Sequence, residues 1–183
     1  MSGKTKRLPS YYFDACVYLA YLRWEDQNYG KQKIRAIESI WKQSERGGVI
    51  IATSAITLTE VLSHKLNAKS EKKFLQAIQT GIHQCEDATP PITMRARQYR
   101  DFYQASPVKC PDGNGIRSDL TTPDAIHLAT ASILNCEQFW TFDGMAGKKS
   151  TIGLLWLGNK VAADSLIISQ PEVSQVDLPG LAS

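Results

Sequence analysis

Short apolar runs alternate with longer stretches of helical period along most of this chain. That alternation constrains the fold more than any other feature of the sequence. The first run, Tyr11-Tyr12-Phe13, is aromatic and stops at Asp14; aromatic residues favour strands. Residues 16–22 then begin a helix. Over 31–45, Ile34, Ile37, Ile40 and Trp41 recur at helical spacing among Lys, Arg and Glu, which predicts an amphipathic helix ended by Gly47-Gly48. Val49-Ile50-Ile51-Ala52 reads as a buried parallel strand. Ser54 is placed to cap a helix over 55–66. Further helices are predicted over 70–84 and, after Pro90-Pro91, over 93–103. Residues 106–118 carry Pro107, Pro111 and the run Asp112-Gly113-Asn114-Gly115, and are predicted as a loop. Thr122 suits the cap, and Pro123 the first turn, of a helix reaching Leu134. Phe139-Trp140-Thr141-Phe142 is a strand that stops at Asp143. A helical turn is expected over 154–157, and Leu166-Ile167-Ile168 reads as a last strand, stopped before Pro171.

Strands alternating with helices imply a three-layer α/β/α fold with a mostly parallel central sheet of about five strands. Right-handed crossovers then bring the carboxyl ends of the strands to one edge, where the working crevice of such sheets lies. The 183 residues suffice for one domain, expected over 11–171, with a polar basic leader over 1–10 and a tail over 172–183. A net charge of +3 permits contact with nucleic acid without demanding it. Cys16, Cys85, Cys110 and Cys136 are scattered, with no metal-ligand spacing. This argues against a disulfide framework or a zinc site and for a reducing compartment. No apolar run is long enough to span a bilayer, and the leader lacks the apolar core of a signal peptide, so a cytoplasmic protein is expected. Gly3-Lys4-Thr5 matches the end of a phosphate-binding loop only by coincidence, because the preceding glycine and strand are missing.

The chemistry-bearing residues are acids. Asp14 and Asp143 each follow a predicted strand, so a parallel sheet delivers both to the same edge. Asp124 lies in the first turn of a helix, where the helix dipole favours an ionised carboxylate. Glu60 lies mid-helix beside Val61, Leu62 and Leu66, where a lone buried charge would be costly. Taken singly, each has an ordinary reading as a cap, a first-turn acid or a solvated helix residue. Taken together, carboxylates that converge must take up protons or share a cation. Oxygen ligands suit Mg²⁺ or Mn²⁺, and such an ion activates water against a phosphodiester. His64 and His127, one turn beyond Glu60 and Asp124, read as surface or packed histidines. Asp112 and Asp119 read as solvated; Lys148 and Lys149 are candidates for phosphate contact.

Four segments carry a family resemblance. Tyr11-Tyr12-Phe13-Asp14, with Val17 and Leu19, resembles the opening motif of PIN domains. Ser54-Ala55-Ile56-Thr57-Leu58-Thr59-Glu60-Val61-Leu62 resembles the second. Thr122-Pro123-Asp124-Ala125-Ile126-His127-Leu128-Ala129-Thr130-Ala131 is similar to the third and is the most specific. Thr141-Phe142-Asp143 resembles the fourth. The resemblance runs from about Tyr11 to Pro171, and the branch it most resembles is the VapC-like toxins. It implies an Mg²⁺- or Mn²⁺-dependent ribonuclease whose metal-site acids are Asp14, Glu60, Asp124 and Asp143, supported by the Thr141 hydroxyl. It also implies an antitoxin partner and a homodimer. Cys16 stands where the family often has Asn or Ser, and no further acid follows Asp143 closely. Three other readings compete: a PIN fold that binds RNA or a protein without turnover, an aspartyl phosphatase, and a dinucleotide-binding oxidoreductase. Cys16, two residues after Asp14, speaks against the phosphatase, and the lack of a GxGxxG against the oxidoreductase.

Overall fold

The computed structural model describes residues 7–113, 115–144 and 151–172. In chain order the elements are β1 (Ser10–Phe13), α1 (Ala15–Leu22), α2 (Asp26–Tyr29), α3 (Lys31–Glu45), β2 (Ile50–Ser54), α4 (Ala55–Leu62), α5 (Ala68–Gln79) and β3 (His83–Glu86). They continue as α6 (Pro90–Ala105), β4 (Val108–Lys109), β5 (Ile116–Arg117), α7 (Thr122–Ile133), β6 (Gln138–Trp140), a 3₁₀ turn (Leu154–Leu157) and β7 (Ile167–Ser169). The central sheet has the order β3-β2-β1-β6-β7, and every pairing in it is parallel.

Two hydrophobic layers cover the sheet, and the strand period of two decides which residue meets which layer. Tyr11, Phe13, Ile51 and Trp140 face α1, α3 and α5, packing on Tyr18, Ile34, Ile37, Trp41 and Phe74. Tyr12, Ala52, Phe139 and Ile168 face α6 and α7, packing on Ile92, Tyr99, Ala125, Leu128 and Ala129. Phe13 stacks on Trp140 at 5.3 Å on the first face, and Tyr12 on Phe139 at 4.9 Å on the second. Because β1 is central, its one-residue alternation is buried on both sides. This explains why a run as short as Ser10–Phe13 is almost wholly aromatic.

Several boundaries differ from the sequence reading, each for a physical reason. Residues 83 and 84, expected to finish a helix, instead open the edge strand β3 (His83–Glu86), paired in parallel with β2; the polar sequence His-Gln-Cys-Glu hid it. The expected loop over 106–118 contains the antiparallel pair β4–β5, too short to show a period. Helix α4 ends at Leu62, short of 66. At the amino end Ser10 already belongs to β1, and Arg7 donates to the carbonyls of Leu134 (3.3 Å) and Asn135 (2.7 Å), satisfying the end of α7. The expected tail from residue 173 onward, and Lys148 and Lys149, lie outside the described residues.

Candidate active site

The strand ends converge as the topology requires. Phe13 pairs with Trp140 in register, so Asp14 and Thr141, each one residue further on, leave the sheet side by side. Asp14, Glu60, Asp124 and Asp143 all line one cleft of about 360 Å³, together with Cys16, Ser63, His64 and His127. The fold therefore brings all four sequence-predicted acids to one place, from four different elements or their edges.

Asp14 is the N-cap of α1, and its Oδ1 accepts from the Cys16 amide at 2.6 Å. Its Oδ2 accepts from the Thr141 hydroxyl at 2.6 Å. Capping and site-forming are thus the same geometry: the cap fixes one oxygen and Thr141 the other. The Thr141 oxygen in turn accepts from the Asp143 amide at 2.9 Å, so one buried hydroxyl ties the first acid to the backbone of the fourth. Cys16 takes over the bond that its position demands, its Sγ accepting from the Phe142 amide at 3.0 Å. Burial pushes that thiol well above its usual range, with the charge of Asp14 adding to the effect.

Asp124 enters on the first turn of α7. The residue that caps this helix is Thr121, not Thr122: its Oγ accepts from the Asp124 amide at 3.2 Å, and its hydroxyl donates back to Asp124 Oδ2. This places Pro123 inside the first turn, where its missing N–H costs nothing. Burial pushes the Asp124 carboxyl up to about 6; the Thr121 hydrogen bond opposes this, and the charges of Asp143 and Asp14 reinforce it. Asp143 follows β6, and its Oδ2 accepts from the Leu154 amide at 3.0 Å, anchoring it to the 3₁₀ turn. Burial raises this carboxyl too, against the Leu154 bond and with the Asp14 charge adding. The turn approaches closely at Gly144, where a Cβ would lie 2.6 Å from the Cβ of Leu155.

Glu60 projects from α4 toward His127, Oε2 to Nε2 at 2.9 Å. Sequence reasoning took His127 for a surface or packed histidine. It is packed, at 2% exposure, but it also touches the site. Its Nδ1 lies 2.8 Å from the Tyr12 hydroxyl and 3.2 Å from Ser54 Oγ. Ser54, expected to cap α4, makes no side-chain cap; its hydroxyl turns to His127 instead. Burial pulls the His127 imidazole down, but the hydrogen bond to Glu60 and the charges of Asp14, Glu60 and Asp124 outweigh it and raise it. The only signal in the sequence was the single-turn spacing from Asp124 to His127, which cannot reveal a partner 67 residues away. His64 sits at the exposed mouth, its Nδ1 2.7 Å from the Glu60 carbonyl. Asp119 lies outside the cleft, bridged to Thr151.

The site can be tested for its fit to a cation. Among the described residues, no three His, Cys, Asp or Glu side chains stand close enough to share one ion as they lie. Each carboxylate is tied by at least one oxygen to a donor of the protein. The donor set itself suits a hard divalent ion: it is all oxygen, at least half-buried, and two members resist ionising because of burial, reinforced by neighbouring carboxylate charge. A cation would favour the ionised form of both.

The family model described as PIN domain matches residues 11–149. The chain belongs to the PIN-domain family. No curated protein sequence matches it significantly. Among solved structures, the chain is similar to VapBC2 from Rickettsia felis bound to a promoter DNA fragment, at 14% identity and a TM-score of 0.48, covering 72% of this chain and 86% of that one. It is similar to Mycobacterium tuberculosis VapC20, a Sarcin-Ricin loop cleaving toxin, at 14% identity and a TM-score of 0.48, covering 74% and 91%. A toxin–antitoxin complex from Klebsiella pneumoniae matches at 21% identity and a TM-score of 0.43, covering 77% and 94%.

Proposed function

We propose that this PIN domain is a ribonuclease that hydrolyses RNA phosphodiester bonds with Mg²⁺ or Mn²⁺ at Asp14, Glu60, Asp124 and Asp143. The observation that carries the reading is the convergence of these four acids on one cleft at the carboxyl edge of a parallel sheet, with Asp124 and Asp143 held above their ordinary pKa by burial and by neighbouring charge. Asp14, Asp124 and Asp143 are assigned to hold the cation, and Glu60 to orient the attacking water. Thr141 keeps Asp14 turned to the cleft. A bound divalent ion supplies Lewis-acid stabilisation of phosphate charge and makes water a better nucleophile. The expected products carry 5′-phosphate and 3′-hydroxyl ends. We further assign the protein to the VapC-like toxins, working in the cytoplasm as a homodimer held in check by an antitoxin. None of the helices of the described residues is long and apolar enough to cross a membrane.

The deciding experiment incubates labelled total RNA with the parent and with Asp14→Asn, in Mg²⁺, Mn²⁺ or EDTA. Discrete products that require metal and disappear in a folded Asp14→Asn protein are expected. Equal cutting by the two proteins would refute the site, and no cutting by the parent would favour the binding-module reading. A binder of that kind would need no divalent ion and would weaken mainly with added salt.

A further inference from the structure

We infer that His127 is a positioning residue that holds Glu60 in place for the metal site through a fixed Nε2–H donor. Its geometry stands by itself; its consequence for metal binding rests on the nuclease reading above.

The argument begins with what each atom can do. An ionised carboxylate only accepts hydrogen bonds, so the 2.9 Å contact between His127 Nε2 and Glu60 Oε2 requires the proton on Nε2. In the neutral ring Nδ1 is then an acceptor, and it faces two hydroxyls, Tyr12 at 2.8 Å and Ser54 at 3.2 Å. Tyr12 is fully buried, between Phe139 and the imidazole, so its hydroxyl needs buried partners, and Nδ1 is one of them. Every polar atom of the ring is matched, and turning the ring over would leave a buried hydroxyl facing the wrong atom.

The second step is what the ring connects. Tyr12 lies on β1, two residues before Asp14; Ser54 ends β2; Glu60 lies on α4; and His127 lies one turn after Asp124 on α7. Glu60 lies on α4 with its side chain 33% accessible, against a buried Asp14. Without a tie, such a side chain samples several rotamers. His127 fixes one of its oxygens against the element that carries Asp124 and against the strand that delivers Asp14. This is the arrangement by which histidine and carboxylate partners orient ligands at metal sites, here with the carboxylate on the metal side.

Three measurements on the whole protein test this. Nitrogen-15 spectra of the parent's histidine rings in EDTA should show His127 protonated at Nε2, with Nδ1 accepting; a bare Nε2 with the proton on Nδ1 would overturn the inference. In Mn²⁺ titrations His127→Leu should bind about 10- to 100-fold more weakly than the parent. His127→Gln, whose amide nitrogen falls near the place of Nε2, should recover most of that loss. Because His127→Leu strands the Tyr12 hydroxyl, Tyr12→Phe/His127→Leu provides a variant in which both partners are removed together and the fold is protected. Unchanged Mn²⁺ affinity in either leucine variant, or a parent that binds no Mn²⁺, would overturn the inference. If the variants rank as expected in Mn²⁺ binding but the parent cuts no RNA, the nuclease reading falls and the positioning role stands.

Discussion

Two buried titratable residues pull the stability of this protein in opposite directions with pH. Asp124 has a folded pKa raised to about 6 by burial, so it favours the folded state when protonated. Its contribution is complete below the ordinary aspartate range and is lost as pH rises through about 6. In EDTA, Asp124→Asn should therefore melt above the parent at pH 8 by several degrees, at about 2–4 °C per kcal/mol for a chain of this size, and the gap should close toward pH 4. Mg²⁺ or Mn²⁺ should raise the melting temperature of the parent at neutral pH and leave Asp124→Asn almost unmoved. His83 behaves oppositely. It is enclosed by Trp41, Tyr18 and Phe13, its Nδ1 bonds the Tyr18 hydroxyl at 3.0 Å and its Nε2 has no hydrogen-bond partner among the described residues. Burial and the nearby Lys73 charge lower its pKa to about 3. Its folded pKa is depressed, so its contribution is present above about 6.5 and is lost as pH falls toward 3. His83→Gln still offers a partner to Tyr18 but takes up no proton there. Urea denaturation from pH 7 to 4.5 should show the parent losing stability relative to this variant; parallel pH curves would refute the assignment.

At the scale of elements, the site depends on how strand ends and helix starts are locked to one another. The segment after β6 is held by Asp143 to Leu154, by Trp156 Nε1 donating to the Gly144 carbonyl at 3.0 Å, and by the close packing of Gly144 on Leu155. Gly144→Ala would push a methyl into the Leu155 side chain, displacing the turn that anchors Asp143. We expect a loss of about 1–3 kcal/mol in urea denaturation, with weaker Mn²⁺ binding; a variant as stable as the parent with unchanged Mn²⁺ affinity would contradict this. In the same helical layer, Asp164 gathers α6 and α7. It accepts two bonds from Arg95 (2.8 and 3.1 Å), one from Ser132 (2.9 Å) and one from Tyr99. Asp164→Ala should cost about 1–3 kcal/mol, because it strands the buried Tyr99 hydroxyl, while metal affinity should hold. Long, strongly periodic elements were legible in advance: Lys31–Glu45 is the helix expected from its Ile and Trp spacing. Elements whose local sequence carries no period were not. Strand β3 is polar and at an edge, and β4 and β5 are two residues each; their backbone pairing, not their side chains, makes them strands.

For the molecule as a whole, a modest net charge of +3 is expected to steer RNA without clamping it. Binding of uncut RNA by Asp14→Asn should weaken steadily with added salt; salt-insensitive binding would point to a mainly apolar or stacking interface instead. The sequence by itself determined the α/β alternation, the parallel sheet and the positions of Asp14 and Asp143 after strands, Asp124 at a helix start and Glu60 within a helix. These follow from local period, capping chemistry and the one-sided geometry of right-handed crossovers. Family membership was legible in the same segments. The tertiary structure decided what those acids touch. That Thr141 joins Asp14 to Asp143, that Ser54 leaves its cap for a histidine, and that His127 reaches both Tyr12 and Glu60 depend on contacts between residues tens of positions apart. Such contacts are set by how two hydrophobic layers close on the sheet, and no local pattern in the chain encodes them.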